Sequence, residues 1–158
     1  MTVHHATLTL ERSLKAPPAK VWNAYADPDA RSVWGVPSPD INMTFQEADF
    51  RAGGRDLCVC GPGPAEGVTV ETLYHSIEHE ARIVTTEIIG MPGAPDAVTL
   101  VTVQFAATAN GTQLTVTIQA TSLAGPEMEA ELRGGWEAAL ANLAAYAEGR
   151  DLLQRSEQ

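Results

Sequence analysis

Positive charge is the first thing this chain lacks. Ten Lys and Arg stand against twenty Asp and Glu, a formal net charge of −10 over 158 residues. Sequence-independent nucleic-acid binding relies on Lys and Arg neutralising phosphates, so nucleic acid is excluded as a default partner. Docking on anionic lipid is disfavoured for the same reason. Long apolar runs are missing too. No stretch approaches the roughly 18 residues that would span a bilayer, so no membrane insertion is expected. Residues 1–10 carry no basic region followed by an apolar run and do not read as a secretory signal. The expected compartment is therefore the cytoplasm. Cysteine is nearly absent. Cys58 and Cys60 are not a C-x-x-C pair, and no second pair completes a zinc site. A disulfide between them would be strained, so both are expected reduced, behaving as small hydrophobes. No glycine-rich phosphate loop occurs, and spacing justifies no Ser–His–Asp or Cys–His arrangement. No metal and no cofactor are expected.

What is present reads as a folded domain. Hydrophobic residues make 44% and charged residues 19% of the chain, a globular balance. The length is one domain's worth, taken as residues 1–158 with a core over about 7–149 and flexible ends. Lys15 and Lys20 are the only lysines, and Ala and Arg are frequent, a bias that suggests a GC-rich bacterial genome.

The pattern changes along the chain. Residues 7–12 alternate as a strand with Leu8 and Leu10 on one face. A short helix starts at Pro17–Pro18, and Val21, Trp22 and Tyr25 share its face. Asp27 as N-cap with Pro28 at the first helical position starts a second, ending near Trp34–Gly35. Residues 36–40 are a loop. Strands follow over 41–48, 55–60, 68–77, 82–89 and 98–107. Residues 61–64 (G-P-G-P) are expected as an exposed hairpin loop and 91–96 as another loop. Asn110–Gly111 is a hairpin turn, after which Leu114, Val116 and Ile118 share one face of the last strand. Residues 126–148 read as one helix roughly 34 Å long at about 1.5 Å per residue. Leu132, Trp136, Leu140, Leu143 and Ala147 recur along it at helical spacing. Gly134–Gly135 either weakens this helix or leaves room beside Trp136. The order is one strand, two short helices, six antiparallel strands and one long helix. It predicts an α+β domain whose curved antiparallel sheet is covered by the C-terminal helix, with space between them.

Several motifs then look familiar. Residues 10–24 (L-E-R-S-L-K-A-P-P-A-K-V-W-N-A) resemble the opening of the START-like, or SRPBCC (Bet v 1-like), superfamily. More narrowly, the chain resembles the activator of Hsp90 ATPase homologue 1-like branch. Asp27–Pro28 followed by Val33–Trp34–Gly35, the turn at residues 48–55 (A-D-F-R-A-G-G-R), and Tyr74 to Ile77 with residues 82–87 (R-I-V-T-T-E) are similar to that branch's motifs. Residues 111–117 and 135–143 resemble its last strand and helix. The resemblance implies a helix-grip fold with a cavity between sheet and long helix. It carries no shared catalytic motif. Two departures stand out: Gly35 replaces a frequent second Trp, and residues 55–60 (R-D-L-C-V-C) lack bulky aromatics. Both would widen the cavity, to at least the roughly 300 Å³ of a drug-sized pocket.

Strand parity supplies candidate residues. Met43, Phe45, Val101, Val103, Phe105, Leu114, Val116 and Ile118 should face the helix. Trp34 should lie near the entrance, and Trp136 and Leu140 on the grip helix. If Cys58 and Cys60 point inward, so does Asp56. An inward Asp56 would act as a general base in an apolar cavity. The other reading places Leu57 and Val59 inward, with Asp56 on the surface or paired with Arg12 or Arg55. Tyr74 and His75 are the remaining candidates for acid–base work. His75 and His79 flank a turn and do not read as a metal pair.

The expected function is binding of a small hydrophobic or aromatic molecule, gated by the Trp34 region and residues 61–64. The alternative is a cyclase- or dehydratase-like enzyme using Asp56, Tyr74 or His75. An interaction module for an Hsp90-type chaperone ranks last. Leu57 and Val59 would offer a homodimer contact if Cys58 points in.

Overall fold

Apolar residues alternating with polar ones on seven segments build one antiparallel sheet, and two short helices and a long one cover one of its faces. The computed structural model describes residues 2–36, 38–63 and 66–152. In chain order the elements are β1 (His4–Leu14), α1 (Pro18–Ala26), α2 (Pro28–Trp34), β2 (Asn42–Glu47), β3 (Arg55–Gly63) and β4 (Glu66–Glu78). There follow β5 (Arg82–Met91), β6 (Ala94–Thr108), β7 (Gly111–Ser122) and α3 (Met128–Ala147). The strands lie in the order β1-β7-β6-β5-β4-β3-β2, and every neighbouring pair is antiparallel. The sheet is curved, and the class is the expected α+β helix-grip arrangement.

Local chemistry explains the helix boundaries. Pro17 is extended and Pro18 opens α1, where a missing N–H does no harm. Asp27 closes α1 and caps α2: its Oδ1 accepts the Asp29 amide at 2.9 Å. Two loops differ from the sequence expectation. Residues 61–63 belong to β3, while Pro64 and Ala65 lie outside the described residues, as do Pro37 of the 36–40 loop and residues 153–158 of the tail. The expected loop at 91–96 is instead a tight turn, because β6 already begins at Ala94. Pro95 pairs opposite Gly90 at a register shift, where an irregular ladder tolerates a residue without N–H.

The core sits at one end of the sheet. Leu8, Leu114, Val116, Ile118, Leu140 and Leu143 are each at most 1% exposed. The helix α3 packs over β1 and β7 and against α1 and α2. Trp22 of α1 is ringed edge-on by Phe50, Phe105 and His79, with ring centroids 5.7, 5.1 and 5.4 Å away. Over β2 to β5 the helix stands off, and the covering face opens into a cavity.

Candidate functional site

The cavity holds about 250 Å³. Its floor comes from β2 to β5, one side from α1 and α2, and its roof from Leu132, Gly135, Trp136 and Ala139 of α3. The widened cavity expected from Gly35 and the sparse aromatics is not found. Met43 explains why: its Sδ lies 2.8 Å from where a Cβ on Gly35 would stand, so the thioether fills the vacated room.

A buried polar cluster is built into one wall. Two turns of α2 put Arg31 and Trp34 on the same face. Trp34 is 4% exposed, and its Nε1–H donates to the Ala24 carbonyl at 2.9 Å, which pins it as wall. Arg31 is 8% exposed, and its Nη1 donates to Asp56 Oδ2 at 2.7 Å. The Phe45 ring centroid lies 4.7 Å from Arg31 Cζ, a cation–π contact. Tyr74 Oη also donates to Asp56 Oδ2, and Arg31 Nη1 lies 3.1 Å from that phenol oxygen. The second carboxylate oxygen, Oδ1, accepts the Asp49 amide at 3.1 Å.

The turn before β3 holds this cluster together. Gly53 adopts φ 83°, a left-handed conformation that suits glycine. A Cβ on Gly54 would lie 2.2 Å from the Asp49 carbonyl oxygen. The same two glycines tie β4 in place: the Gly53 amide donates to the Tyr74 carbonyl at 2.8 Å, and the Tyr74 amide to Gly54 at 3.0 Å. The residue 48–55 motif thus fixes Asp56 and Tyr74 relative to each other.

Burial dominates the electrostatics. It pushes the Tyr74 and Tyr25 phenols up from their ordinary values. Burial alone would draw the Arg31 guanidinium down, but Tyr74 and Asp56 beside it reverse the shift and raise it. Glu87 of β5 lines the same cavity, and burial pushes its carboxyl up to about 7. The Thr72 hydroxyl, 3.5 Å from Glu87 Oε2, and the positive charge of Arg31 pull the other way and only partly offset burial. Cys58 and Cys60 share one S–H···S contact at 3.8 Å, which raises the Cys58 thiol and lowers Cys60.

The candidate residues separate into three groups. Trp34, Met43, Phe45, Cys58, Tyr74 and Trp136 line the cavity, and Asp56, 1% exposed, backs it. Val101, Val103, Phe105 and Leu140 face the covered side but are sealed in the core where the helices press on the sheet, so their placement as cavity lining is corrected. Leu114, Val116 and Ile118 are sealed there too. Cys60 is half-buried and is not among the lining residues. His75 is exposed because it follows the inward Tyr74 on the strand, and its Nε2 lies 2.8 Å from Thr86 Oγ1. It is not in the cavity, whereas Trp34 is part of its wall, buried and bonded to Ala24. Of the two outward residues suggested for a dimer contact, Val59 is itself buried, at 6% exposed. Among the described residues no group of three His, Cys, Asp or Glu is placed to hold a metal, and no helix is long and apolar enough to cross a membrane. Sequence reasoning missed Arg31, Glu87 and Tyr25. Of the two readings of Asp56, the inward one holds, and the partner the other reading sought in Arg12 or Arg55 is instead Arg31, 25 residues away.

A curved sheet gripping a long helix, with a mostly apolar cavity between them, defines a helix-grip protein. The chain belongs to the activator of Hsp90 ATPase homolog 1-like protein family, whose model matches residues 15–148. Solved structures agree. An uncharacterized protein from Rhizobium leguminosarum is 30% identical, with 94% of this chain and 98% of that one covered and a TM-score of 0.78. The Mll3558 protein from Rhizobium loti is 28% identical over 92% and 99% of the two chains, with a TM-score of 0.79. The CV1439 protein from Chromobacterium violaceum is 27% identical over 90% and 96%, with a TM-score of 0.77. No curated protein matches the chain in sequence.

Proposed function

We propose that the protein binds a small, largely apolar molecule in the cavity between β2–β5 and α3. The observation that carries this reading is the cavity itself. A solvent-open cavity of about 250 Å³ walled by Trp34, Phe45, Ile89 and Trp136 holds water against mostly apolar walls, and an apolar molecule that displaces this water gains by burial. An engineered apolar cavity of about 150 Å³ already holds benzene. The volume here suits one ring with substituents and is below that of a drug-sized pocket. In this reading Asp56 and Tyr74 hold Arg31 in place, because both oxygens of Asp56 are engaged inside the protein.

Native mass spectrometry of freshly purified protein tests the reading. A bound small molecule should appear as an added mass, lost on denaturation. Titration of indole and of toluene into the protein should also give saturable heats of binding by calorimetry. An apo mass together with no response to either probe would sink the reading.

A further inference from the structure

The cavity wall contains a cation that its own protein uses by one nitrogen only. Arg31 gives Nη1 to Asp56 and Tyr74. Its Nε and Nη2 are sealed from water and take no hydrogen bond among the described residues. These two atoms form one edge of the guanidinium, the fork that meets a carboxylate with two parallel N–H···O bonds. A buried donor left unsatisfied is costly, and here two lie side by side on a residue that lines the cavity.

We propose that the molecule taken by this cavity is a carboxylic acid on a small apolar or single-ring body, received by the Nε/Nη2 edge of Arg31. The inference rests on the binding function proposed above and names its ligand class. Arg31 is the specificity-determining residue. Asp56 and Tyr74 are positioning residues that hold its other nitrogen. A phosphate fits the fork geometrically, but it brings more charge to a site whose one cation is already shared with Asp56. A carboxylate brings a single charge. The two nitrogens carry no exposed surface, so a carboxylate reaches the fork with a shift of the side chains around Arg31. Glu87 and Glu131 line the same cavity and set a second condition, because an ionised carboxylate there repels a bound acid.

The test uses matched pairs: benzoate and benzamide, phenylacetate and phenylacetamide, 3-phenylpropanoate and 3-phenylpropanamide. Binding is measured by calorimetry at pH 6.5. At least one acid should bind tenfold or more tighter than its amide. Arg31→Lys keeps a charge for Asp56 but removes the fork, and should erase that preference while the protein still melts cooperatively. Glu87→Gln leaves Arg31 intact and should tighten the preferred acid severalfold at pH 8. Amides that bind as well as their acids, or a preference that survives in a folded Arg31→Lys, would overturn the acid assignment and leave the cavity function standing. Phenyl phosphate binding tighter than every carboxylate would overturn it as well. No binding by any acid, amide, indole or toluene would remove both.

Discussion

Arg31 and Asp56 form a buried ion pair at 2.7 Å, and the chemistry of the site follows from how each was desolvated. Removing one partner leaves the other charge buried and unpaired, which destabilises by about 3–5 kcal/mol. Asp56→Ala should therefore lower the unfolding free energy measured by urea titration by that amount, whereas His75→Ala, at an exposed position, should change stability little. Glu87 shows the opposite logic. Its carboxyl is raised from 4.5 to about 7 by burial, with Tyr25, Arg31, Asp56, Thr72 and Thr99 around it. The folded state thus holds a proton that the unfolded chain releases, and stability falls as pH rises from about 4.5 to about 7, then levels off. Glu87→Gln should remove this loss. Melting curves at pH 5 and pH 8 should show the variant gaining on the parent protein only at the higher pH. Asp56 could be singled out from the sequence because strand parity put it on the same face as Cys58. Arg31 could not. It lies on a helix of 7 residues, and its partner is set by how that helix lands on β3, which no local pattern records.

At the scale of elements, α3 carries the clearest expectation. Gly134 and Gly135 sit mid-helix, and a Cβ on either meets nothing within 4 Å. Alanine at an unobstructed helical glycine stabilises by roughly 0.5–1 kcal/mol. Gly134→Ala should show that gain in thermal denaturation with ligand binding unchanged, since Gly134 is exposed and outside the cavity wall. Gly135→Leu should also keep the fold but block binding, because Gly135 lines the cavity. Helix starts were legible from Pro18, Asp27 and Pro28, and strand faces from alternation. The 91–96 segment was not. Its prolines and glycine read as a loop, yet Pro95 is accommodated at a shift in the ladder with Gly90. A bulge depends on the partner strand, so one strand's residues do not announce it.

At the scale of the molecule, two populations of inward-facing residues share one sheet. Parity identified both but could not divide them, because the division depends on where α3 and the short helices rest. Ile118, fully buried beneath the close contact, should lose about 2–5 kcal/mol on mutation to Ala. Ile89, on the cavity wall, already borders empty space, and Ile89→Ala should lose clearly less in the same denaturation assay. The net charge of −10 belongs mostly to the outside of this arrangement, as with Glu127 and Glu129 near the start of α3, while Glu131 stands at the cavity. Within the cavity wall, Asp56 is paired with Arg31 and Glu87 feels its charge.

The uneven grip of α3 has an evolutionary consequence. Residues beneath the tight contact are constrained together, since a change in one must be matched by its neighbours. Those of β2 to β5 that line the cavity, such as Ile89 and Val70, have fewer neighbours to match, while the Asp56 and Tyr74 cluster beside them stays fixed. Descendants of such a gene can therefore diverge along one half of the sheet, acquiring new tastes in small molecules, while the other half preserves the ancestral architecture.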